Sequence, residues 1–136
     1  MDIHAFICKN NVDFAAHLIS KADLELAEND LENKFGPQLS EYLLDYGYLG
    51  FESVEFYGMN SRQGLKSDII TQTHYLHQYY PATGPYVAFE NYGEGDYMLV
   101  DSEDHIFRFI SEESKVIKTD WQLFDYILAR FQAELT

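Results

Sequence analysis

Basic residues are scarce in this sequence. Lys and Arg together number 9 of 136 residues, against 23 Asp and Glu, so the formal net charge is −14 at pH 7. Phosphate groups are bound chiefly by Lys and Arg, and this deficit therefore argues against direct binding to nucleic acid or to an anionic membrane. The same charge favours a basic protein as the partner, because opposite fields speed encounter. It also keeps a protein soluble, whatever its partner.

The chain has a single cysteine and no long apolar run. Cys8 has no second cysteine with which to form an internal disulfide, which fits a reducing cytosol. No apolar run reaches membrane-spanning length, and residues 1–4 lack the basic segment that begins a signal peptide. We therefore expect a cytoplasmic protein with no membrane partner.

Aromatic and apolar residues are plentiful by contrast. Tyr and Phe number 11 and 10, and 46% of the 136 residues are hydrophobic, which is enough to form a core. The sequence shows no internal repeat, low-complexity tract or inter-domain linker. We expect one domain that extends over residues 1–136.

Residues 85–110 predict an antiparallel meander. Three short strand-like runs lie at 86–89, 97–100 and 105–110. Turn residues, two glycines among them, separate the first two runs, and a short acidic segment separates the second and third. Short connections of this kind are typical of antiparallel neighbours.

Apolar residues at helical spacing predict helices before, between and after the strands. The expected helices span 11–20, 23–35, 37–46, 67–80 and 119–131. A half-buried strand is expected at 51–57, a polar loop at 60–66 and a polar connector at 111–118. The order of elements predicts an α+β fold, in which an antiparallel-rich sheet, the meander, is packed by N-terminal, middle and C-terminal helices.

The same patterns predict which side chains are inside. The inward face of the final helix is expected to contain Trp121, Phe124, Leu128 and Phe131. One common core is expected to contain Leu31, Leu43, Phe89, Leu99, Phe107 and Phe124.

Two blocks of residues carry a family resemblance. The first contains, in order, Ala27-Glu28, Leu31, Phe35, Leu39, Tyr42, Leu43 and Tyr46-Gly47. The second runs from Val87 to Phe109 and has Gly93, Gly95 and Asp96 in an acidic turn between strands. In order and spacing the two blocks resemble the SUKH superfamily, over about residues 22–131. Gly36 departs from the family pattern, which usually has proline there, and Pro37 stands one place late.

The resemblance implies a function as well as a fold. SUKH domains occur in yeast cell-wall regulators and in many bacterial immunity proteins, which neutralise secreted toxins, often nucleases, from the cytoplasm of the producing cell. We therefore predict a non-enzymatic immunity protein or antitoxin without a cofactor. Its partner is predicted to be a secreted or contact-dependent toxin. The resemblance implies that this toxin is a nuclease, and the acidic charge of the chain favours a basic one. A regulatory scaffold for an endogenous protein is the alternative, and a hydrolase that uses surface carboxylates is the third.

Acidic residues around the meander are the predicted contacts with such a partner. They are Glu90, Glu94, Asp96, Asp101, Glu103 and Asp104. The candidate aromatic anchors are Tyr75, Tyr79, Tyr80 and Tyr92. The acids are equally typical of two polar hairpin turns. The tyrosines are equally typical of core residues that keep their hydroxyl group in water. A helical stripe of Glu25, Glu28 and Glu32 is typical of a solvated face.

Motifs for metal or nucleotide binding are incomplete. His74 and His77 would share one helix face, as metal ligands can, but no cysteine pair or HExxH motif accompanies them. Gly93 and Gly95 begin a GxG pattern, yet Met98 stands where the third glycine would be. The sequence therefore predicts that folding requires neither a metal nor a nucleotide.

Overall fold

The computed structural model describes residues 1–15, 19–59 and 68–136. The helices in these ranges are α1 (Ile3–Lys9), α2 (Lys21–Leu31), α3 (Pro37–Tyr46), α4 (Ile69–Tyr79) and α5 (Leu123–Ala133). The strands are β1 (Gly50–Phe51), β2 (Val54–Glu55), β3 (Val87–Gly93), β4 (Asp96–Val100), β5 (His105–Ile110) and β6 (Lys115–Gln122). Helices packed on antiparallel strands confirm the α+β prediction. None of the described helices is both long enough and apolar enough to cross a membrane.

The main sheet has four antiparallel strands in the order β3-β4-β5-β6. The predicted meander of three strands is confirmed, and β6 extends it. The expected connector at 111–118 is wrong beyond a short 3₁₀ turn, Ser111–Glu113, because residues from Lys115 onward pair with β5. As β6 is an edge strand and most of its side chains are exposed, its sequence lacks the apolar alternation by which strands are recognised.

The final helix begins later than its sequence suggests. Residues 119–122 of the expected helix belong to β6 instead, and the Thr119 hydroxyl donates to the Ile106 carbonyl at 2.6 Å. The helix begins at Leu123, and its buried residues are Leu123, Tyr126, Ile127 and Phe131. Trp121, expected on the inward face, is 45% exposed.

The first helix lies nearer the N-terminus than expected. It spans Ile3–Lys9, is capped by the Asp2 carboxylate, and buries Ile3, Phe6 and Ile7. The helix expected at 11–20 is wrong for 11–15, where Asp13 instead forms a bridge with Gly50. Residues 16–18 of that expected helix lie outside the described residues.

The next two helices follow their sequence signals closely. Ser20 and Asp23 form a reciprocal capping box at the start of α2. That helix ends at Leu31 rather than at the expected Phe35, because Glu32 adopts a left-handed conformation with φ 56°. The prediction for α3 is confirmed: Pro37 occupies its first turn and Gly47, with φ 71°, ends it.

The middle of the chain departs from prediction in detail. Residues 50–55 form a small β1–β2 hairpin in place of the single strand expected at 51–57, since Glu52 turns the chain with φ 54°. The expected loop at 60–66 lies outside the described residues, and so does Ser67, the first residue of the helix expected at 67–80. The helix after them is α4, and the Asp68 carboxylate caps it by accepting from the Ile70 and Thr71 N–H groups.

Helices cover the sheet on both faces. Tyr80, directly after α4, packs its ring 5.0 Å from that of Phe109, while Tyr126 of α5 reaches Glu90 on β3. Strand register places Glu90 on the same face as Met98 and Arg108, and therefore opposite to Phe109. One core contains Leu31, Leu43, Phe89 and Leu99 as buried residues, with Phe107 and Phe124 partly buried against it.

Candidate partner-binding surface

The two acidic turns of the meander lie at opposite ends of β4. Glu94 is in the β3–β4 turn and Glu103 is in the β4–β5 turn, and both are exposed. The five residues of β4 separate the two turns by roughly 17 Å, at about 3.3 Å per residue. The predicted acidic contacts therefore cannot form one compact patch.

The β4–β5 turn uses two of its carboxylates to hold itself and its neighbours. The Asp101 carboxylate accepts hydrogen bonds from the backbone N–H groups of Glu103 and His105, both at 2.9 Å. The carboxylate of Asp104 accepts from the N–H groups of Gln38 at 2.9 Å and Leu39 at 3.0 Å, which are the unsatisfied donors at the start of α3. Its carbonyl accepts from Leu123 N–H, at the start of α5, at 2.9 Å.

Asp104 is therefore a structural residue and not an exposed contact. It is 3% exposed, so the expectation that it lies on the surface of a turn is wrong. Burial raises the pKa of its carboxyl, while the hydrogen bonds from Gln38 and Leu39 act in the opposite direction. A non-local cap of this kind has no signature in the sequence around residue 104.

Glu90 is also buried, at 2% exposed, which overturns its assignment to the surface. A shift of register between Ala88 and Glu90 marks a β-bulge in β3, and such a bulge re-aims the side chains around it. The Glu90 carboxylate accepts from the Tyr126 hydroxyl and lies 2.6 Å from Nη2 of Arg130. Burial, and then the charge of Glu90, raises the pKa of the Tyr126 hydroxyl.

A ladder of alternating groups, Asp96, Arg108, Tyr92, Arg130 and Glu90, connects the β3–β4 end of the sheet to α5. Arg108 lies 2.6 Å from the Asp96 carboxylate. The guanidinium carbons of Arg108 and Arg130 lie 4.9 and 5.0 Å from the centre of the Tyr92 ring. Three predicted contact residues, Glu90, Tyr92 and Asp96, are thus engaged within the molecule.

The arginines that hold this ladder were not among the predicted site residues. Arg108 is flanked by Phe107 and Phe109, and Arg130 precedes the buried Phe131 in a largely apolar helix. A base within an apolar pattern signals a paired charge, since an unpaired one would be costly to bury. That signal was present, but the acids it pairs with are distant in sequence.

A cleft of about 390 Å³ opens beside the ladder. Its lining is Ser53, Glu55, Tyr57, Glu90, Asn91, Tyr92, Gly93 and Arg130. The Ser53 hydroxyl donates to the Glu134 carboxylate, and the described residues that line the cleft include no His. Within the described ranges, no group of three or more His, Cys, Asp or Glu side chains could hold a metal ion.

The predicted histidine pair is divided between two unrelated roles. His74 Nε2 lies 3.0 Å from the Asp30 carboxylate of α2, and His77 Nε2 lies 2.7 Å from the Tyr86 carbonyl oxygen. Both contacts join α4 to its neighbours. A structural role accounts for each histidine.

The tyrosines expected as anchors differ in how exposed they are. Tyr79 is 61% exposed, whereas Tyr80 is half-buried against Phe109. Tyr75, also a candidate anchor, is 45% exposed, and its ring centre lies 5.1 Å from that of Tyr79. The signal for this pair was the i, i+4 spacing on the outer face of α4.

A family model described as SUKH_5, SMI1-KNR4 cell-wall, matches residues 4–132. The chain belongs to this family. The resemblance inferred from the two sequence blocks is thus confirmed over nearly the whole chain. A search of curated proteins gave no match. SUKH proteins generally have immunity or regulatory roles rather than catalytic ones, and a toxin-immunity role is compatible with this membership.

The exposed candidates in this SUKH chain are fewer than its sequence suggests. Among the residues predicted as contacts, four are exposed and belong to neither the ladder nor the α3 cap: Glu94, Glu103, Tyr75 and Tyr79. Glu28, in the helical stripe, is also engaged, because its carboxylate accepts from Phe35 N–H at 2.7 Å. These positions define what a mutational study can change without disturbing the fold.

Proposed function

We propose that this SUKH protein is an immunity protein that acts in the cytoplasm. It binds a secreted or contact-dependent toxin and blocks the toxin's active surface without chemistry of its own. The toxin in this proposal is a basic nuclease. The observation that carries the proposal is the net charge of −14 on a member of a family that includes immunity proteins.

The charge supports a nuclease in particular. A nuclease domain holds the phosphates of its substrate with Lys and Arg, so its active surface is basic. An acidic protein is attracted to that surface by the same field that attracts the substrate. Binding there blocks catalysis by occupying the active surface.

The pairing of two carboxylates with arginines supports binding rather than turnover. Glu90 is paired with Arg130, and Asp96 with Arg108. A catalytic acid or base needs access to its substrate, which these carboxylates lack because protein groups already bind them.

A protection assay tests the proposal. Nuclease domains of secreted toxins are expressed in cells with or without this chain, and survival is scored. We expect rescue from at least one basic nuclease toxin, and direct binding whose association rate falls steeply as salt screens the two fields. Failure to rescue against every basic toxin tested, with the chain folded and expressed, would reject the immunity role.

Matched charge reversals separate a specific contact from the global field. Glu94→Lys with Glu112→Lys, two exposed positions, changes the net charge by the same amount as Glu25→Lys on α2 with Glu32→Lys directly after it. Glu28 is left unchanged because its carboxylate accepts a hydrogen bond from the Phe35 N–H group. We expect the first pair to slow association with a rescued toxin more than the second. Equal slowing by both pairs would mean that only the total charge matters.

A regulatory scaffold is the second candidate, and the cell-wall description of the matching family favours it. Under this alternative the chain binds an endogenous protein and gives no protection against toxins. Deletion of the chain would then change growth or cell-wall integrity in the absence of any toxin. An immunity protein predicts no such change.

A further inference from the structure

Two tyrosine rings form an exposed aromatic pair on α4. The buried side of this helix contains Ile69, Thr73 and Leu76, so Tyr75 and Tyr79 lie on its outer side. They are 45% and 61% exposed, and their ring centres are 5.1 Å apart. Exposed tyrosines offer a large contact area at a low cost in side-chain entropy, and they are enriched at the centres of protein interfaces.

The aromatic pair continues onto the sheet. Tyr97 is the second residue of β4, and its partner in register on β5 is Phe109, against which Tyr80 packs. Tyr97 is half-buried, and burial together with the neighbouring Tyr75 and Tyr80 hydroxyls raises its pKa. The side chains of Tyr75 and Tyr97 therefore lie near each other at the end of the sheet that contains the β3–β4 turn.

Exposed acids stand at the same end of the sheet. Glu94 is in the β3–β4 turn, and the 3₁₀ turn Ser111–Glu113 is joined to it by a hydrogen bond of 3.3 Å from Ser111 N–H to the Gly95 carbonyl. Glu112 and Glu113 are both exposed. Lys115, opposite Ile110, is an exposed base at this end, while Arg108 there is paired with Asp96. Three exposed acids therefore oppose one unpaired base among these residues.

The geometry points to this end of the sheet as the docking surface for a basic segment of a partner protein, with Tyr75, Tyr79 and Tyr97 at its centre and Glu94, Glu112 and Glu113 at its rim. This inference rests on the proposed function and identifies the surface that performs it. Lys or Arg side chains can lie along the tyrosine rings while their charged groups approach the acids. The aromatic pair supplies contact area, and the acids supply attraction and orientation.

The opposite end of β4 lacks this combination. Glu103 is exposed there, but Asp101 and Asp104 are committed to the turn and to the α3 cap. Glu103 therefore serves as a matched control for the rim acids. Trp121, which is 45% exposed on the edge strand, is a matched control for the aromatic pair.

Short random peptides displayed on phage test the surface without requiring a toxin. Clones are selected on the whole chain, sequenced, and measured against variants whose circular dichroism and melting temperature match the parent. We expect selected peptides to be rich in Lys and Arg. Their affinity should fall at least about tenfold for the double variant Tyr75→Ser with Tyr79→Ser. It should fall as much for the triple variant Glu94→Gln, Glu112→Gln and Glu113→Gln. The two control variants, Trp121→Ser and Glu103→Gln, should bind the peptides as tightly as the parent does. If the double serine variant loses its fold, Tyr79→Lys replaces it, since a lysine at this exposed position repels a basic peptide.

Three outcomes would overturn the docking surface. They are an absence of selected clones, selected peptides without an excess of basic residues, and peptides that bind the variants as tightly as they bind the parent. The result is independent of the protection assay. Peptides that map to the tyrosines while no toxin is neutralised would leave the surface in place and reject the immunity role.

Discussion

The carboxylate of Asp104 lies where a side chain on Gly36 would have to begin. A Cβ built on Gly36 would be 2.5 Å from the Asp104 carboxyl carbon, whereas ordinary contacts begin at 3.4 Å. Gly36 is the N-cap residue of α3 and has no side chain with which to cap it, so Asp104 supplies the cap from the β4–β5 turn. This explains the departure from the family pattern. Proline at residue 36 would collide with the carboxylate, and at residue 37 it begins the helix.

Gly36→Ala should destabilise the protein through this collision. Overpacking of this kind costs ~1–3 kcal/mol. Removing the carboxylate with Asp104→Ala should itself cost ~1–3 kcal/mol, because two backbone donors lose their acceptor. In the Asp104→Ala background the cost of Gly36→Ala should shrink, since the methyl group then has space. Urea denaturation of the four proteins gives the coupling energy, and an identical cost of Gly36→Ala in both backgrounds would contradict the steric explanation.

Arg130→Met should destabilise strongly because it leaves the Glu90 carboxylate buried beside a hydroxyl and without its counter-charge. Breaking a buried ion pair from one side costs ~3–5 kcal/mol. The double variant Glu90→Met with Arg130→Met should lose less than the sum of the two single changes. Arg108→Met is the matched control because it breaks an ion pair that is more exposed. The Arg108 side chain is 43% exposed, whereas that of Arg130 is 27% exposed. Chemical denaturation measures all four, and an Arg108→Met variant that loses as much as Arg130→Met would show that burial does not set the cost.

Alkaline pH should unfold the protein through its buried tyrosines. Burial raises the pKa of Tyr46 to about 12 from the ordinary 10.0, and burial raises the pKa values of Tyr42, Tyr57 and Tyr126 as well. The native state thus holds these protons more tightly than the unfolded chain. The stability contributed by this difference is complete below pH 10 and is lost as the pH rises toward 12 and beyond.

Urea midpoints measured at increasing alkaline pH check this expectation, with tyrosinate absorbance recorded in parallel. Tyr46→Phe should make the loss of stability less steep, because one group no longer favours the protonated native state. A midpoint that stays constant from pH 10 to pH 12 would show that the buried hydroxyls ionise freely in the native protein.

The meander and α3 were predictable because their signals are local. Turn residues between short apolar runs specified the three strands, and Pro37 and Gly47 marked the two ends of α3. The edge strand β6 was missed for a physical reason. Its side chains face solvent, and it is held by pairing with β5 that the sequence pattern does not encode.

The sequence could predict that the candidate contacts lie in or near turns. It could not predict which of their carboxylates are exposed and which are bound by other groups of the protein. Glu90 is buried by partners 36 and 40 residues later in the chain, Tyr126 and Arg130. Asp104 is buried against the first turn of α3, where Gln38 lies 66 residues earlier in the chain. The spacing of acids along the chain could not distinguish these two residues from Glu94, which is exposed.

The Asp104 cap also has a consequence for the order of folding. Each strand of the four-stranded sheet pairs with its neighbour in the chain, so the loops closed during its assembly are short and their entropy cost is small. By contrast, the hydrogen bonds from Gln38 and Leu39 to Asp104 join residues that are 66 and 65 positions apart in the chain, and so close a long loop. Residues 87–122 can therefore associate while the start of α3 still has unsatisfied amides, and those amides gain protection from hydrogen exchange when the β4–β5 turn docks upon them.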